Sequence, residues 1–176
     1  MSFGRVADLS DQEQVAVRSL SQVVYPPAES ANWPGRHLEW AEPEWCVRVW
    51  GPKGGLASYV GVLLREATRD GQSARVGGVG GVMTHPALRR RGYAERGLRR
   101  ALEFFHEQGS VRFGVLVCEP SLIAYYSRLG WREFAGELLV RQRGALEGFT
   151  FNRVMTLGVG QEAPVDGVID LCGPPW

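Results

Sequence analysis

The chain has 176 residues, 44% of them hydrophobic and 22% charged, which is the balance of a soluble globular domain long enough to bury a core. Basic and acidic residues nearly cancel to a formal net charge of +1, so bulk charge gives no argument for nucleic acid or an anionic membrane as partner. Cys46, Cys118 and Cys172 stand far apart, in no CxxC or Cys/His ligand pattern; free thiols are expected, and neither a disulfide framework nor a metal site.

The opening MSFGRVADLSDQEQ has no basic start followed by an apolar run, and no apolar stretch approaches about 18 residues, so a cytoplasmic location is expected. Ser10 and Glu13 read as a capping box that opens a helix running to about Val24. YPPAESANWPGR breaks it, and residues 25–44 form a loop or short-helix region rich in Pro, Trp and Glu. EWCVRVW reads as a strand and GPKGG as a turn; LASYVGVLLREAT is a long buried strand that the Asp-Gly turn RDGQ joins to ARVGGVGGVMTH. Glycines 77, 78, 80 and 81 weaken that strand by propensity and mark a bulge or a close backbone approach. After Pro86, Ala94, Leu98, Ala101, Leu102 and Phe105 fall on one helical face. VRFGVLVC is another buried strand, PSLIAYYSRLG a shorter helix closed by Gly130, ELLVRQ and GFTFNRVMTLGV strands, and DGVIDLCGPPW a tail with one short strand. The order α, β, β, β, α, β, α, β, β implies one α/β or α+β domain over residues 1–176 around a single sheet.

The turn RRRGYA, Arg89 to Ala94, lies where a helix N-terminus offers free N–H groups and the positive end of the macrodipole. Charge alone reads as a solvated basic turn. The P-loop pattern is absent, and GGVGGV is not followed directly by a helix. A Gly-rich strand, a basic turn and then an amphipathic helix is nevertheless the frame of an anion site.

VMTHPALRRRGYAERGLRRALEFF resembles the acyl-CoA-binding motif of the GNAT acyltransferase superfamily, Gln/Arg-x-x-Gly-x-Gly/Ala, with Arg89, Gly92 and Ala94 at its fixed positions. VLVCEPSLIAYYSRLGW resembles the second motif of that family, a strand and then a helix ending Tyr-x-x-x-Gly-Phe/Trp. The two span about residues 76–131 in the family's order. The resemblance implies a GNAT fold, one mixed and mostly antiparallel central sheet flanked by helices, and acetyl-CoA as cosubstrate. It implies that the backbone of Arg90, Arg91, Gly92, Tyr93 and Ala94 holds the pyrophosphate, with the Arg89–Arg91 side chains adding charge. The strand Val82, Met83 and Thr84 would pair with the pantetheine arm, and an N–H near Val82 or Met83 would face the thioester carbonyl.

Acyl transfer to an amine needs a neutral nucleophile, a stabilised oxyanion and a proton for the leaving thiolate. The resemblance puts Tyr126 in the general-acid position, against a packing role for both Tyr125 and Tyr126. Ser121 either caps its helix or touches pantetheine. Glu119 is the candidate base, against a helix-initiating role; the strand that carries an acid in related enzymes has Gly80 and Gly81 here. His85 shapes the turn before Pro86. Cys118 raises an acyl-cysteine relay, against the usual role of a buried thiol as a small apolar residue.

Within the superfamily the chain resembles aminoglycoside 2′-N-acetyltransferases, in length, in YYSRLGW and in the tail ending at Trp176. That likeness implies that the tail (about residues 158–176), with Trp176, Asp170 and Asp166, closes the acceptor site together with Glu39, Glu42 or Glu44; the strand acid of those enzymes falls at Gly80. The competing readings are a packed cover over the sheet, a non-catalytic acyl-CoA sensor and a nucleic-acid-binding domain. Expected partners are acetyl-CoA and a small amine, with no nucleic acid, membrane or metal; a homodimer is left open.

Overall fold

A computed structural model describes residues 1–27 and 32–176, so four residues of the Pro- and Trp-rich region lie outside the described part. Its centre is a ten-stranded mixed sheet. β1 (Ser2–Arg5) pairs with β2 (Trp45–Trp50), and β2 pairs with the first half of β3 (Leu56–Arg69). β3 turns through Asp70 and Gly71, both at positive φ, into β4 (Gln72–Thr84), the hairpin expected from RDGQ. β5 (Phe113–Cys118) lies parallel to β4, and β9 (Arg153–Gly158) runs antiparallel to β5 with the short β6 (Arg132–Glu133) beyond it. On the other side β10 (Val168–Asp170) lies between β3 and β7 (Glu137–Gln142), and β8 (Ala145–Gly148) closes that edge.

α1 (Asp11–Val24) starts as read: the Ser10 hydroxyl accepts the Glu13 N–H, and the Glu13 carboxylate accepts the Ser10 N–H at 3.0 Å. It covers one face of β3 and β4 through Leu20, Tyr59, Cys46 and Met83. α2 (Tyr93–Glu107) covers the opposite face with Leu98, Ala101, Phe104 and Phe105, against Val47, Val60, Val62 and Val79. α3 (Ile123–Ser127) follows β5 and adds Tyr126 and Trp131 to that layer.

Three expectations need correction. The N-terminal segment is a strand paired to β2 at a distance, which no local pattern announces. GFTFNRVMTLGV is not one strand, since β8 ends at Gly148 and β9 begins at Arg153. Ser121 caps no helix; it sits exposed inside the 3₁₀ turn Pro120–Leu122, whose N-cap is Glu119.

Candidate active site

The site begins where the sheet opens. β4 and β5 pair only from Val76–Phe113 to Val79–Leu116, although both strands continue beyond. Against β3 the register jumps: Gly80 faces Gly61, but Met83 faces Tyr59, so Gly81 and Val82 stand opposite the single residue Val60. Gly81 takes φ +57° in this bulge, a conformation that a Cβ disfavours. Ser58, fully buried, donates to the Met83 carbonyl at 2.6 Å and lies 3.1 Å from the Thr84 hydroxyl. The far edge of Val82–Thr84 is thereby turned away from β3, and among the described residues no strand pairs with it.

The chain then enters α2. His85 Nδ1 accepts the Ala87 N–H at 3.3 Å, which is the turn-shaping role read from the sequence. Arg90 (φ +62°) and Gly92 (φ +75°) are both left-handed, a turn that brings successive N–H groups onto one concave side. The first helical bond runs from the Arg96 N–H to the Gly92 carbonyl, so the amides ahead of it lie outside the ladder. No atom lies within 4 Å of the place a Cβ would take at Gly92. Arg89, Arg90 and Arg91 are exposed, and among the described residues no ion pair holds them, whereas Arg99 bonds Glu95 at 2.7 Å and Arg100 bonds Glu107 at 3.0 Å. Arg96 lies over the Tyr93 ring. Open amides, a dipole terminus and three exposed guanidinium groups suit a ligand with several phosphates.

The family model described as acetyltransferase (GNAT) domain matches residues 5–134. The chain belongs to this GNAT family. Among solved structures, a GNAT family N-acetyltransferase (YhbS) from Escherichia coli in complex with CoA is similar to it with a TM-score of 0.63 at 15% identity, covering 97% of this chain and 89% of that one. An acyl-CoA N-acyltransferase from Pseudomonas aeruginosa gives 0.61 at 19%, covering 89% and 97%. A GNAT family acetyltransferase from Brucella melitensis in complex with acetyl-CoA gives 0.58 at 15%, covering 96% and 93%. At these identities the likeness is one of fold. No curated protein matches the chain by sequence.

On the GNAT frame the two faces of the opening differ. On the α2 face, Tyr126 is 5% exposed and meets Tyr125 and Trp131 edge-on, at 5.1 and 6.4 Å. Burial, and then the neighbouring Cys118, Tyr125 and Tyr25, push its hydroxyl well above the usual tyrosine range, so it stays a proton donor. Tyr125 diverges toward α2, where burial and then Glu95 raise its pKa. Burial pushes the Cys118 thiol up to about 11, the opposite of what a nucleophilic cysteine needs. Glu119 is exposed directly after β5 and makes no capping hydrogen bond; its charge acts on Cys118 and on Tyr25.

Tyr25 was invisible to sequence reasoning. It ends α1, far up the chain from Glu119, yet burial and then the Glu119 carboxylate raise its hydroxyl pKa while Arg89 pulls the other way. Because 51% of its surface is open, solvent screening keeps that effect modest. Its placement joins α1 to the end of β5 and to the basic turn.

On the opposite face Trp176 fills the middle of the sheet. Its indole N–H donates to the Val115 carbonyl at 3.0 Å, and its ring lies against Gly78, where a Cβ would overlap it. A Cβ at Gly80 would stand 2.9 Å from the carbonyl carbon of Trp176. The glycines of β4 therefore leave room for Trp176 on this face and, at Gly77, for Phe105 on the other. Arg65 stacks on the indole at 4.8 Å, and the Ala41 N–H donates to the Pro175 carbonyl at 2.6 Å, which stitches the tail to the Trp-rich segment.

The acids read as acceptor ligands divide. Asp170 accepts the Cys172 N–H at 2.7 Å and pairs with Arg141 at 3.7 Å. Glu39 accepts the Arg143 N–H at 2.8 Å, while its own N–H donates to Gln142. Asp166 accepts the Gly167 N–H at 2.7 Å, at the start of β10. Glu42 and Glu44 are exposed. A groove of about 450 Å³ bordered by Glu137, Phe149, Thr150 and Asp166 opens beside the start of β7, not at the opening of β4. Among the described residues no cluster of His, Cys, Asp or Glu is arranged for a metal, and no helix is long and apolar enough to cross a membrane.

Proposed function

We propose that this chain moves an acetyl group from acetyl-CoA to a primary amine of a small molecule, by direct attack in a ternary complex. The observation that carries the reading is the end of β4, where strand pairing with β5 stops at Val79 and the next turn presents Gly92 and three exposed arginines at a helix start. Acetyl-CoA is the ligand those groups suit, with its pyrophosphate on the backbone of Arg90–Ala94 and its pantetheine along Val82–Thr84. Crystal structures of similar folds, from E. coli with CoA and from B. melitensis with acetyl-CoA, support that assignment.

In the reaction the amine nitrogen attacks the thioester carbonyl, an N–C bond forms and the C–S bond breaks. An N–H near Val82 or Met83 stabilises the oxyanion. The amine proton passes to Glu119, directly or through water, and the Tyr126 hydroxyl gives its proton to the departing thiolate. The high pKa of the buried Cys118 thiol supports direct transfer over an acyl-cysteine. Of the acids the aminoglycoside reading uses, Asp170 and Glu39 are bonded within the chain, while Glu42 and Glu44 stay exposed.

The test is a thermal shift with acetyl-CoA, since binding to the folded state raises the melting temperature by mass action. Wild type should shift, and Gly92→Glu, which puts bulk and charge at the pyrophosphate, should not. An unchanged shift in a variant with native circular dichroism overturns the site. Gly80 in place of a strand acid favours one second reading, a non-catalytic acyl-CoA sensor. Thiol release with a panel of amines separates the two: the sensor binds acetyl-CoA and turns over none of them.

A further inference from the structure

We propose that the acceptor amine carries a flat aromatic group, and that Trp33, Trp40 and Phe151 form the shelf on which it lies. This rests on the acyltransferase reading and adds the chemistry of its second substrate. Register places the shelf. Arg153 pairs with Cys118 at the open end of β5, so Phe151, two residues earlier, lies just past that end. Phe151 and Trp40 pack on the cluster that holds Trp176 and Val117, the face of the sheet opposite α2. Trp33 meets Phe151 edge-on at 5.7 Å and stacks on Trp40 at 5.6 Å, and Trp40 meets Phe151 at 6.2 Å.

The shelf is built rather than incidental. The Trp33 indole closes over Gly35, where a Cβ would overlap it, and the Trp40 N–H donates to the Gly35 carbonyl at 2.9 Å. Trp33 is thus fixed on two sides and still 40% exposed. A single exposed aromatic residue is ordinary, but three packed on one another past the open end of β5 offer a flat apolar face to a ligand. Exposed carboxylates, Glu119 directly after β5 and Glu42 and Glu44 in the Trp-rich segment, are available to an ammonium group. The aromatic trio adds an apolar face to that charge, which suits an amine attached to a ring.

The experiment compares 2-phenylethylamine, n-butylamine and spermidine as acceptors with acetyl-CoA. The expected result is a kcat/KM for 2-phenylethylamine about tenfold above that for n-butylamine, as one aromatic stacking contact supplies. Trp33→Ala should raise KM for 2-phenylethylamine by a similar factor, with kcat, the n-butylamine kinetics and the acetyl-CoA thermal shift unchanged, and Trp33→Phe should restore most of the loss. Equal kcat/KM for the two monoamines, a preference for spermidine, or an equal loss on both monoamines in Trp33→Ala overturns the shelf. If no amine turns over, the acyltransferase reading fails by itself. The shelf is then decided by tryptophan fluorescence with CoA present: saturable quenching by 2-phenylethylamine that Trp33→Ala removes sustains it, and no quenching in wild type overturns it.

Discussion

Tyr126 is a side chain whose environment selects one protonation state. Its ring is buried between Tyr125 and Trp131, and burial holds the hydroxyl neutral. Tyr126→Phe keeps the packing and removes only the proton, so we expect kcat to fall about 10²-fold with the acetyl-CoA thermal shift intact. A fall in binding instead would make Tyr126 a packing residue. The Glu119 carboxylate, at the end of β5, is felt at Tyr25, whose hydroxyl pKa is raised first by burial and then by that charge. If Glu119 takes the amine proton, Glu119→Gln lowers kcat about 10²-fold with the acetyl-CoA thermal shift intact, and an unchanged kcat overturns the assignment. The motif residues were legible because each belongs to a local pattern: Arg89, Gly92 and Ala94 within six positions, Tyr126 four before Gly130. Tyr25 was not, because its partners come from the far ends of β5 and of the basic turn.

Among the elements, α1 and β4 depend on different information. The capping box that opens α1 is contained in four residues and could be read directly. The ion pair of Glu13 with the buried Arg48, at 3.1 Å, could not, because it needs β2 beneath the helix. The Glu13 carboxyl is held below the usual range by the Ser10 backbone, then by the Ser10 hydroxyl, with Arg48 adding less. A lowered carboxyl contributes stability above its ordinary pKa, about 4.3, and loses it as pH falls through the folded value. Glu13→Gln should therefore flatten the acid limb of a melting-temperature profile. β4 was readable as Gly-rich, but the reason for each glycine was not. Gly77→Ala would bring a Cβ to 2.5 Å from the Phe105 ring, and overpacking of that kind costs about 1–3 kcal/mol, measurable by urea unfolding. GFTFNRVMTLGV misled because its alternation runs on through a segment that leaves the β8 edge of the sheet and re-enters it between β5 and β6.

The whole molecule is one curled sheet with helices on both faces, and its buried hydroxyls and thiols share a sign. Burial raises the pKa of Tyr59, Tyr126, Cys46 and Cys118 alike. A raised pKa contributes stability that is complete below the unfolded value and is lost as pH rises through the folded one. Melting temperatures should accordingly hold near pH 7, begin to drop past about 8.5 as unfolded thiols ionise, and fall faster past about 10. The class of fold and the cofactor motifs could be read from helical and strand periods. The closure of the sheet could not, since β10 takes its neighbours from β3 and β7. That closure governs the order of folding. β3 and β7 cannot be joined until Val168–Asp170 has been inserted between them, and Trp176 cannot seat on Gly78 before that. Contacts this distant in sequence give a high contact order, so refolding is expected on the order of milliseconds to seconds. Docking of the segment from Val168 to Trp176 is therefore expected late, and a species trapped before it would expose two strand edges and an apolar trough, binding hydrophobic dyes and associating with its own kind.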